Sequence, residues 1–78
     1  MATVKVYSTP VCPYCEMAKS FLKENNVKFE EIDVSKNREA AIEMVEKSGQ
    51  MSVPVITIDD EVIVGFDREK IKRALKIG

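Results

Sequence analysis

The feature that most restricts the fold of this chain is a change of hydrophobic period close to its beginning. Val4 and Val6 alternate with Lys5, which is typical of a β-strand, and Ser8-Thr9-Pro10 ends the alternation. Apolar or small residues then recur at helical spacing, at Cys15, Ala18, Phe21 and Leu22. The pattern predicts a strand that is followed at once by a helix over residues 13–25.

The middle of the chain repeats this alternation. Val27, Phe29 and Ile32 predict a second strand. A second helix is expected over residues 37–48, with Gly49 as its left-handed C-terminal cap and an apolar face formed by Ala41, Met44 and Val45.

The last third predicts a hairpin and a final helix. Val53–Ile58 and Glu61–Val64 are apolar runs on either side of Asp59-Asp60, which indicates an antiparallel hairpin. Asp67 is placed to cap a third helix, whose sheet-facing residues are Ile71, Ala74 and Leu75. The order β-α-β-α-β-β-α predicts one α/β domain over residues 1–78.

The connections predict a four-stranded mixed sheet. A right-handed helical crossover makes the first two strands parallel, and the hairpin adds two antiparallel strands. We expect Phe21, Phe29, Met44 and the β-branched residues to form the core.

The composition of the chain limits the kinds of partner that it is expected to bind. The 12 basic and 13 acidic side chains give a net charge of -1 without a long basic run, so nucleic acid is not expected as the main partner. No apolar run approaches the roughly 18 residues of a membrane span. We expect a monomer in the cytoplasm that binds no membrane.

The two cysteines, Cys12 and Cys15, are open to several interpretations. A structural disulfide is disfavoured in a reducing compartment, and a loop this short restrains little of the unfolded chain. Structural zinc usually needs four Cys or His ligands, whereas this chain has two Cys and no His, so metal would require a second chain or an outside thiol. Two inert buried thiols or a redox couple remain.

The position of the pair favours redox chemistry. Pro13 fits the first turn of a helix, which puts Cys12 at or near the N-cap, facing free backbone N–H groups. Such a position can lower a thiol pKa from about 8.5 to roughly 3.5–7.5. Pro10 and Pro13 also stiffen the approach to the helix. We therefore expect Cys12 to be the nucleophile and the deeper Cys15 to be the resolving thiol.

Three motifs then resemble the glutaredoxin family. Cys12-Pro13-Tyr14-Cys15 is the tetrad typical of dithiol glutaredoxins. Ser52-Val53-Pro54 resembles the family's Thr-Val-Pro segment with its cis-proline, and Gly65-Phe66-Asp67 resembles part of its glutathione-binding turn. The resemblance spans nearly the whole chain and implies a thioredoxin-like fold.

The resemblance also implies a reaction and a binding surface. Cys12 and Cys15 would exchange disulfides with disulfide-containing or glutathionylated proteins, with glutathione as cosubstrate and no bound cofactor. The Val53 backbone would pair with glutathione or a peptide, Tyr14 would flank the ligand, and Asp67 would hold its α-ammonium group. The residues implied in glutathione or substrate binding are Thr9, Val11, Pro13, Tyr14, Ser52, Val53, Pro54, Gly65, Phe66 and Asp67.

Departures from the family pattern leave two alternatives. Many glutaredoxins have Lys at the position of Thr9, and their Gly-Gly-X-Asp-Asp turn appears here as Val64-Gly65-Phe66-Asp67-Arg68. The first alternative is a glutaredoxin-like electron donor, for example to ribonucleotide reductase, that thioredoxin reductase reduces. The second is a carrier in which Cys12 of two chains and two glutathione thiols hold an iron-sulfur cluster.

Overall fold

The computed structural model describes residues 3–76 and has the predicted order of elements. These elements are β1 (Val4–Ser8), α1 (Pro13–Glu24), β2 (Glu30–Asp33), α2 (Arg38–Ser48), β3 (Val55–Ile58), β4 (Glu61–Val64) and α3 (Arg68–Leu75). No helix within residues 3–76 is long and apolar enough to cross a membrane.

The four strands form one mixed sheet in the order β2-β1-β3-β4. β1 is parallel to β2, with Tyr7 opposite Ile32. β1 is antiparallel to β3, and β3 is antiparallel to β4. The predicted mixed sheet is therefore confirmed, with β1 and β3 as its central strands.

Each face of the sheet is covered by helices. α1 and α3 pack on one face, in a cluster of Val4, Val6, Ala18, Phe21, Leu22, Ile56, Ile58, Ile63 and Ile71. α2 packs on the other face, in a smaller cluster of Tyr7, Ala40, Met44 and Val55. Full burial of such a side chain contributes about 1.5–3 kcal/mol. This packing holds α1 against the side of β1 that carries Val4 and Val6.

The helix ends follow the chemistry of their capping residues. The side chains of Cys12, Asn37 and Asp67 accept hydrogen bonds from backbone N–H groups in the first turns of α1, α2 and α3. Gly49 ends α2 with φ 73°, as predicted, because glycine enters the left-handed region without a Cβ clash. The cap assigned to Asp67 from the sequence is also confirmed.

The prediction for the second strand was wrong at its start. Val27 and Phe29 precede β2, which begins at Glu30. Asn26 has φ 58°, and the N–H of Val27 donates to the carbonyl of Leu22 at 2.9 Å, so the chain is still leaving α1. Both apolar side chains are half-buried against the larger cluster, so Phe29 lies at the margin of the core.

Two smaller differences concern β3 and the core. β3 begins at Val55, two residues later than predicted, because pairing with β1 starts there, at Tyr7. Some β-branched side chains are exposed instead of buried. Val62 and Val64 lie on the edge strand β4, and Ile42 lies on the outer side of α2.

Candidate active site

The junction of β1 and α1 presents the two cysteines. Cys12 has extended backbone angles, φ -121° and ψ 103°, and Pro13 occupies the first turn of α1. The backbone N–H of Cys15 donates to Sγ of Cys12 at 3.1 Å. The sulfur atom of Cys12 is therefore the N-cap acceptor of α1, a position that oxygen side chains usually take. The N-cap position predicted for Cys12 is confirmed.

The two cysteines differ in accessibility. They form a disulfide, with Cα atoms 5.2 Å apart. Cys15 is 0% exposed and lies in the core, whereas Cys12 is half-buried. Because an attacking thiol must reach a sulfur atom from solvent, Cys12 is the sulfur that an incoming thiolate can approach.

The charges around the start of α1 are partly neutralised. Glu16 lies in the first turn, where its negative charge would oppose a thiolate at Cys12. Nζ of Lys19 lies 2.9 Å from Oε1 of Glu16. The hydrogen bond from Lys19 lowers the pKa of the Glu16 carboxyl, and the hydrogen bonds to Glu16 and then Glu31 raise the pKa of Lys19. Lys19 thus forms an ion pair with Glu16, the residue after Cys15, and offsets its negative charge.

Lys19 also ties α1 to the edge strand β2. It bonds to the carboxylate of Glu31, and its side chain is only 14% exposed. Both residues line a cleft of about 240 Å³ together with Ser8, Thr9, Pro10 and Asp33. Thr9 therefore lies beside an ion pair, which the sequence analysis did not identify. The only sequence signal was the placement of Lys19 one helical turn after Cys15.

The Ser52-Val53-Pro54 segment enters β3. The Val53–Pro54 peptide bond is cis, as the family resemblance implied. Pro54 is buried, and Val53 is half-buried. The carbonyl of Pro54 accepts a hydrogen bond of 2.8 Å from the N–H of Gly65. This bond joins two of the three sequence motifs.

A polar network shapes the loop before this segment. The carbonyls of Met44 and Gln50 share the single hydroxyl proton of Ser48, at oxygen–oxygen distances of 2.7 and 3.0 Å. The hydroxyl of Ser52 donates to Oε1 of Gln50 at 3.1 Å. Gln50, which was not among the predicted site residues, therefore has its side chain held next to Ser52.

The third motif, Gly65-Phe66-Asp67, forms the turn into α3 and contacts the core. Gly65 has φ 81°, and Asp67 accepts a hydrogen bond of 3.2 Å from the N–H of Lys70 as the cap of α3. Phe66 packs edge-on against Phe21, with ring centroids 5.9 Å apart. One carboxylate oxygen of Asp67 thus accepts the capping hydrogen bond, and its side chain is half-buried.

Exposed apolar side chains lie next to these motifs in the chain. Val11 is 89% exposed and Tyr14 is 63% exposed, and they flank Cys12 and Pro13. Met51, beside Ser52, is 80% exposed. These side chains present exposed apolar surface next to the motifs in the chain. Val11 is an exception to the prediction that β-branched residues form the core.

Metal ligands do not cluster in the described part of the chain. Among residues 3–76 no group of three or more His, Cys, Asp or Glu side chains is placed to hold a metal ion.

Comparison with known proteins identifies similar sequences. A family model described as Glutaredoxin matches residues 4–63. A glutaredoxin-like 8.6 kDa protein in the rubredoxin operon of Clostridium pasteurianum is 40% identical over 73 residues, which cover 94% of this chain and 97% of that protein. Glutaredoxin 3 of Escherichia coli K12 is 40% identical over 67 residues, covering 86% of this chain and 81% of that one.

Solved structures show the same fold. A mutant form of the thioredoxin-like protein BC3987 superposes with a TM-score of 0.92 at 41% identity, covering 100% of both chains. The glutaredoxin-like protein NrdH-redoxin from Escherichia coli, described with a thioredoxin-like activity profile, gives a TM-score of 0.81 at 27% identity. The match covers 91% of this chain and 92% of that one.

Proposed function

Because this chain belongs to the glutaredoxin family of thiol-disulfide oxidoreductases, we propose that it reduces protein disulfides and glutathione mixed disulfides with glutathione as the electron donor. The observation that carries the proposal is the hydrogen bond from the N–H of Cys15 to Sγ of Cys12 at the start of α1. A negatively charged sulfur is a better acceptor than a neutral one, so this position favours the thiolate, which is the reactive form.

Mixed disulfides are reduced by Cys12 in two exchanges. The Cys12 thiolate attacks the glutathione sulfur of a glutathionylated protein, a bond forms between Cys12 and glutathione, and the protein leaves as a thiolate that takes a proton from water. A second glutathione thiolate then attacks the bound glutathione sulfur. Oxidised glutathione leaves, and the electron pair of the broken bond restores the Cys12 thiolate.

Protein disulfides require both cysteines. The Cys12 thiolate attacks one sulfur atom of the substrate and forms a mixed disulfide with it, while the substrate S–S bond breaks and its other sulfur leaves as a thiolate that takes a proton from water. Cys15, whose Cα lies 5.2 Å from that of Cys12, then attacks Sγ of Cys12 and releases the second substrate thiol. The resulting disulfide in the oxidised protein is reduced again by two glutathione molecules. The cytoplasm, where glutathione keeps thiols reduced, is the compartment that suits this cycle.

The binding surface combines the three motifs. We assign the backbone of Val53 to the extended backbone of the ligand, and Asp67 to its α-ammonium group. The hydrogen bond between Gly65 and Pro54 supports this assignment because it keeps the two segments side by side. The surface is completed by Thr9, Val11, Pro13, Tyr14, Ser52 and Phe66.

A second candidate is an electron donor that thioredoxin reductase reduces. Thr9 lacks the charge that a Lys would offer to a glutathione carboxylate, and Arg68 replaces an acidic residue of the family turn. The similarity to NrdH-redoxin, which is described with a thioredoxin-like activity profile, also favours this candidate. Its site chemistry would be the same, and only the source of electrons would differ.

One assay separates the two candidates. The reduction of a small glutathione mixed disulfide is followed by NADPH consumption, with either glutathione plus glutathione reductase or thioredoxin reductase as the electron source. We expect turnover with glutathione. Turnover with thioredoxin reductase alone would replace the proposal with the second candidate. The Cys12→Ser variant is the control for exchange that does not require the site.

A further inference from the structure

The positive charges of the chain are concentrated in one segment near its end. Residues 68–76 contain five of the 12 Lys and Arg side chains but only one of the 13 Asp and Glu side chains, which gives this segment a net charge of +4. The other residues carry seven basic and 12 acidic side chains, a net charge of -5. The segment consists of α3 and its C-cap, Lys76.

The stability of α3 accounts for only some of these cations, because Lys72 and Arg73 lie in its last turn, where the helix dipole favours a positive charge. Arg68 and Lys70 lie in the first turn, where the helix dipole favours carboxylates. Arg68 and Lys72 are a like-charged pair at i,i+4, which destabilises a helix by about 0.2–0.5 kcal/mol. Among residues 3–76, the cations in ion pairs are those of α1 and α2, not those of α3.

A groove runs between α3 and the edge strand β4. It has a volume of about 400 Å³, and its lining residues are Glu61, Val62, Ile63, Lys70, Arg73 and Ala74. The groove is therefore lined by two cations, one carboxylate and three apolar side chains. Within residues 3–76 β4 is bonded to β3 alone, so its outer backbone edge is available to an extended peptide.

The two elements that line the groove, β4 and α3, flank the third motif of the candidate active site in the chain. β4 leads directly into Gly65, which is bonded to Pro54, and α3 starts at the residue after Asp67. The guanidinium of Arg68 lies 5.6 Å from the centroid of the Phe21 ring, which holds it at the start of α3. The groove and the third motif are thus built on the same two elements, β4 and α3.

We propose that the groove between β4 and α3 docks an extended acidic segment of the protein whose disulfide Cys12 reduces, with Lys70 and Arg73 contacting its carboxylates. The proposal rests on the proposed function for the reduction step, but the binding itself does not. Nucleic acid and anionic membranes suit the surface less well, because they are large polyanions and the other elements carry a net charge of -5. A narrow acidic peptide contacts the cationic groove without meeting the acidic remainder.

Two pairs of synthetic peptides test the proposal. In the first pair, a glutamate-rich peptide and its glutamine counterpart carry the same disulfide. In the second pair, serines replace the cysteines and a fluorophore reports binding by anisotropy. We expect the unaltered protein to favour the glutamate peptides by about tenfold in both kcat/KM and affinity. The preference should shrink in high salt because the contacts are exposed.

The variants separate docking from overall charge. Lys70→Gln/Arg73→Gln should lose the preference while keeping its rate on the glutamine disulfide peptide. Lys28→Gln/Arg38→Gln removes two other exposed cations, so it changes net charge equally and should keep the preference. Circular dichroism shows whether each variant is folded.

Several results would overturn the docking surface. These are no preference in the unaltered protein, equal loss of preference in both double variants, or preferential binding to phosphatidylserine vesicles over the glutamate peptide. If the protein binds the glutamate peptide selectively through Lys70 and Arg73 but reduces neither disulfide peptide with glutathione, the docking surface stands and the proposed function fails.

Discussion

The backbone N–H of Cys15 points at Sγ of Cys12, 3.1 Å away, so the residue that we propose as the resolving thiol contributes the hydrogen bond that favours the thiolate of the proposed nucleophile. The contact uses the backbone of Cys15 and not its thiol. It therefore survives replacement of the Cys15 side chain, which makes the two roles of this residue separable by mutation.

The cysteine variants should have different activities. We expect Cys12→Ser to abolish all exchange, because only Cys12 combines the cap position with access to solvent. Cys15→Ser should keep the reduction of small glutathione mixed disulfides and lose the direct reduction of protein disulfides. Parallel assays with a glutathionylated peptide and a disulfide protein measure both activities. Full activity of Cys12→Ser on either substrate would contradict the assignment.

Variants of Asp67 should distinguish its role as the N-cap of α3 from its proposed contact with the ligand. Asp67→Asn keeps the cap of α3, because Asn and Asp cap helices about equally well, but it removes the charge. We expect unchanged stability and a several-fold higher KM for glutathione. Asp67→Ala should also lose about 1 kcal/mol of unfolding free energy, measured in urea.

The cap of α2 provides the control for Asp67. Asn37 accepts a hydrogen bond of 3.0 Å from the N–H of Ala40, so Asn37→Ala should lose about 1 kcal/mol of unfolding free energy while KM stays the same. If Asp67→Asn leaves the KM for glutathione unchanged, the ligand's ammonium group is not held by this carboxylate.

A cation at position 9 should improve glutathione binding. Hydrogen bonds to charged groups contribute about 1.5–3 kcal/mol, but Glu31 and Asp33 line the same cleft and attract the new ammonium group. We therefore expect Thr9→Lys to gain about 1 kcal/mol, a several-fold lower apparent KM. The gain should decrease with salt, and Thr9→Met is the uncharged control. An equal effect of Lys and Met would show that charge is not responsible.

The sequence predicted the features that depend on neighbouring residues. The order of elements follows from the change between periods of 2 and 3.6 residues. The caps at Cys12, Gly49 and Asp67 follow from side-chain and backbone chemistry within one helical turn. The start of β2 was missed because this edge strand has few apolar residues, with Glu30 and Glu31 exposed.

Contacts between distant residues could not be predicted in this way. The bond between Lys19 and Glu31 spans 12 residues, and it depends on how α1 lies across β2. The bond between Gly65 and Pro54 depends on the register of β3 and β4. The family resemblance named Gly65 and Pro54 separately, but only the assembled sheet brings them together.

The buried phenol of Tyr7 should make stability depend on alkaline pH. Tyr7 is 0% exposed, and its hydroxyl donates to Glu43 at 3.1 Å. Burial, followed by the hydrogen bond to Glu43, raises its pKa above the ordinary value of 10.0. The resulting stabilisation is present below pH 10 and is lost as pH rises through the higher folded-state value.

Tyr7→Phe therefore tests this dependence. We expect it to cost about 1 kcal/mol near neutral pH, the usual net contribution of one hydrogen bond. The difference from the unaltered protein should narrow above pH 10. Urea unfolding of the reduced proteins at several pH values measures this difference in unfolding free energy. Tyr14→Phe, at a position 63% exposed, is the control and should change stability little at neutral pH. A difference that stays constant up to pH 11 would contradict this explanation.

The pKa of the Cys12 thiol tests the central claim most directly. In reduced Cys15→Ser, the backbone N–H at position 15 is retained and Cys12 is the sole thiol. The rate of its alkylation by iodoacetamide, measured against pH, should have a midpoint within about 3.5–7.5, the range for thiols at helix N-termini. A midpoint near 8.5, the value of an ordinary free thiol, would show that the start of α1 does not activate Cys12.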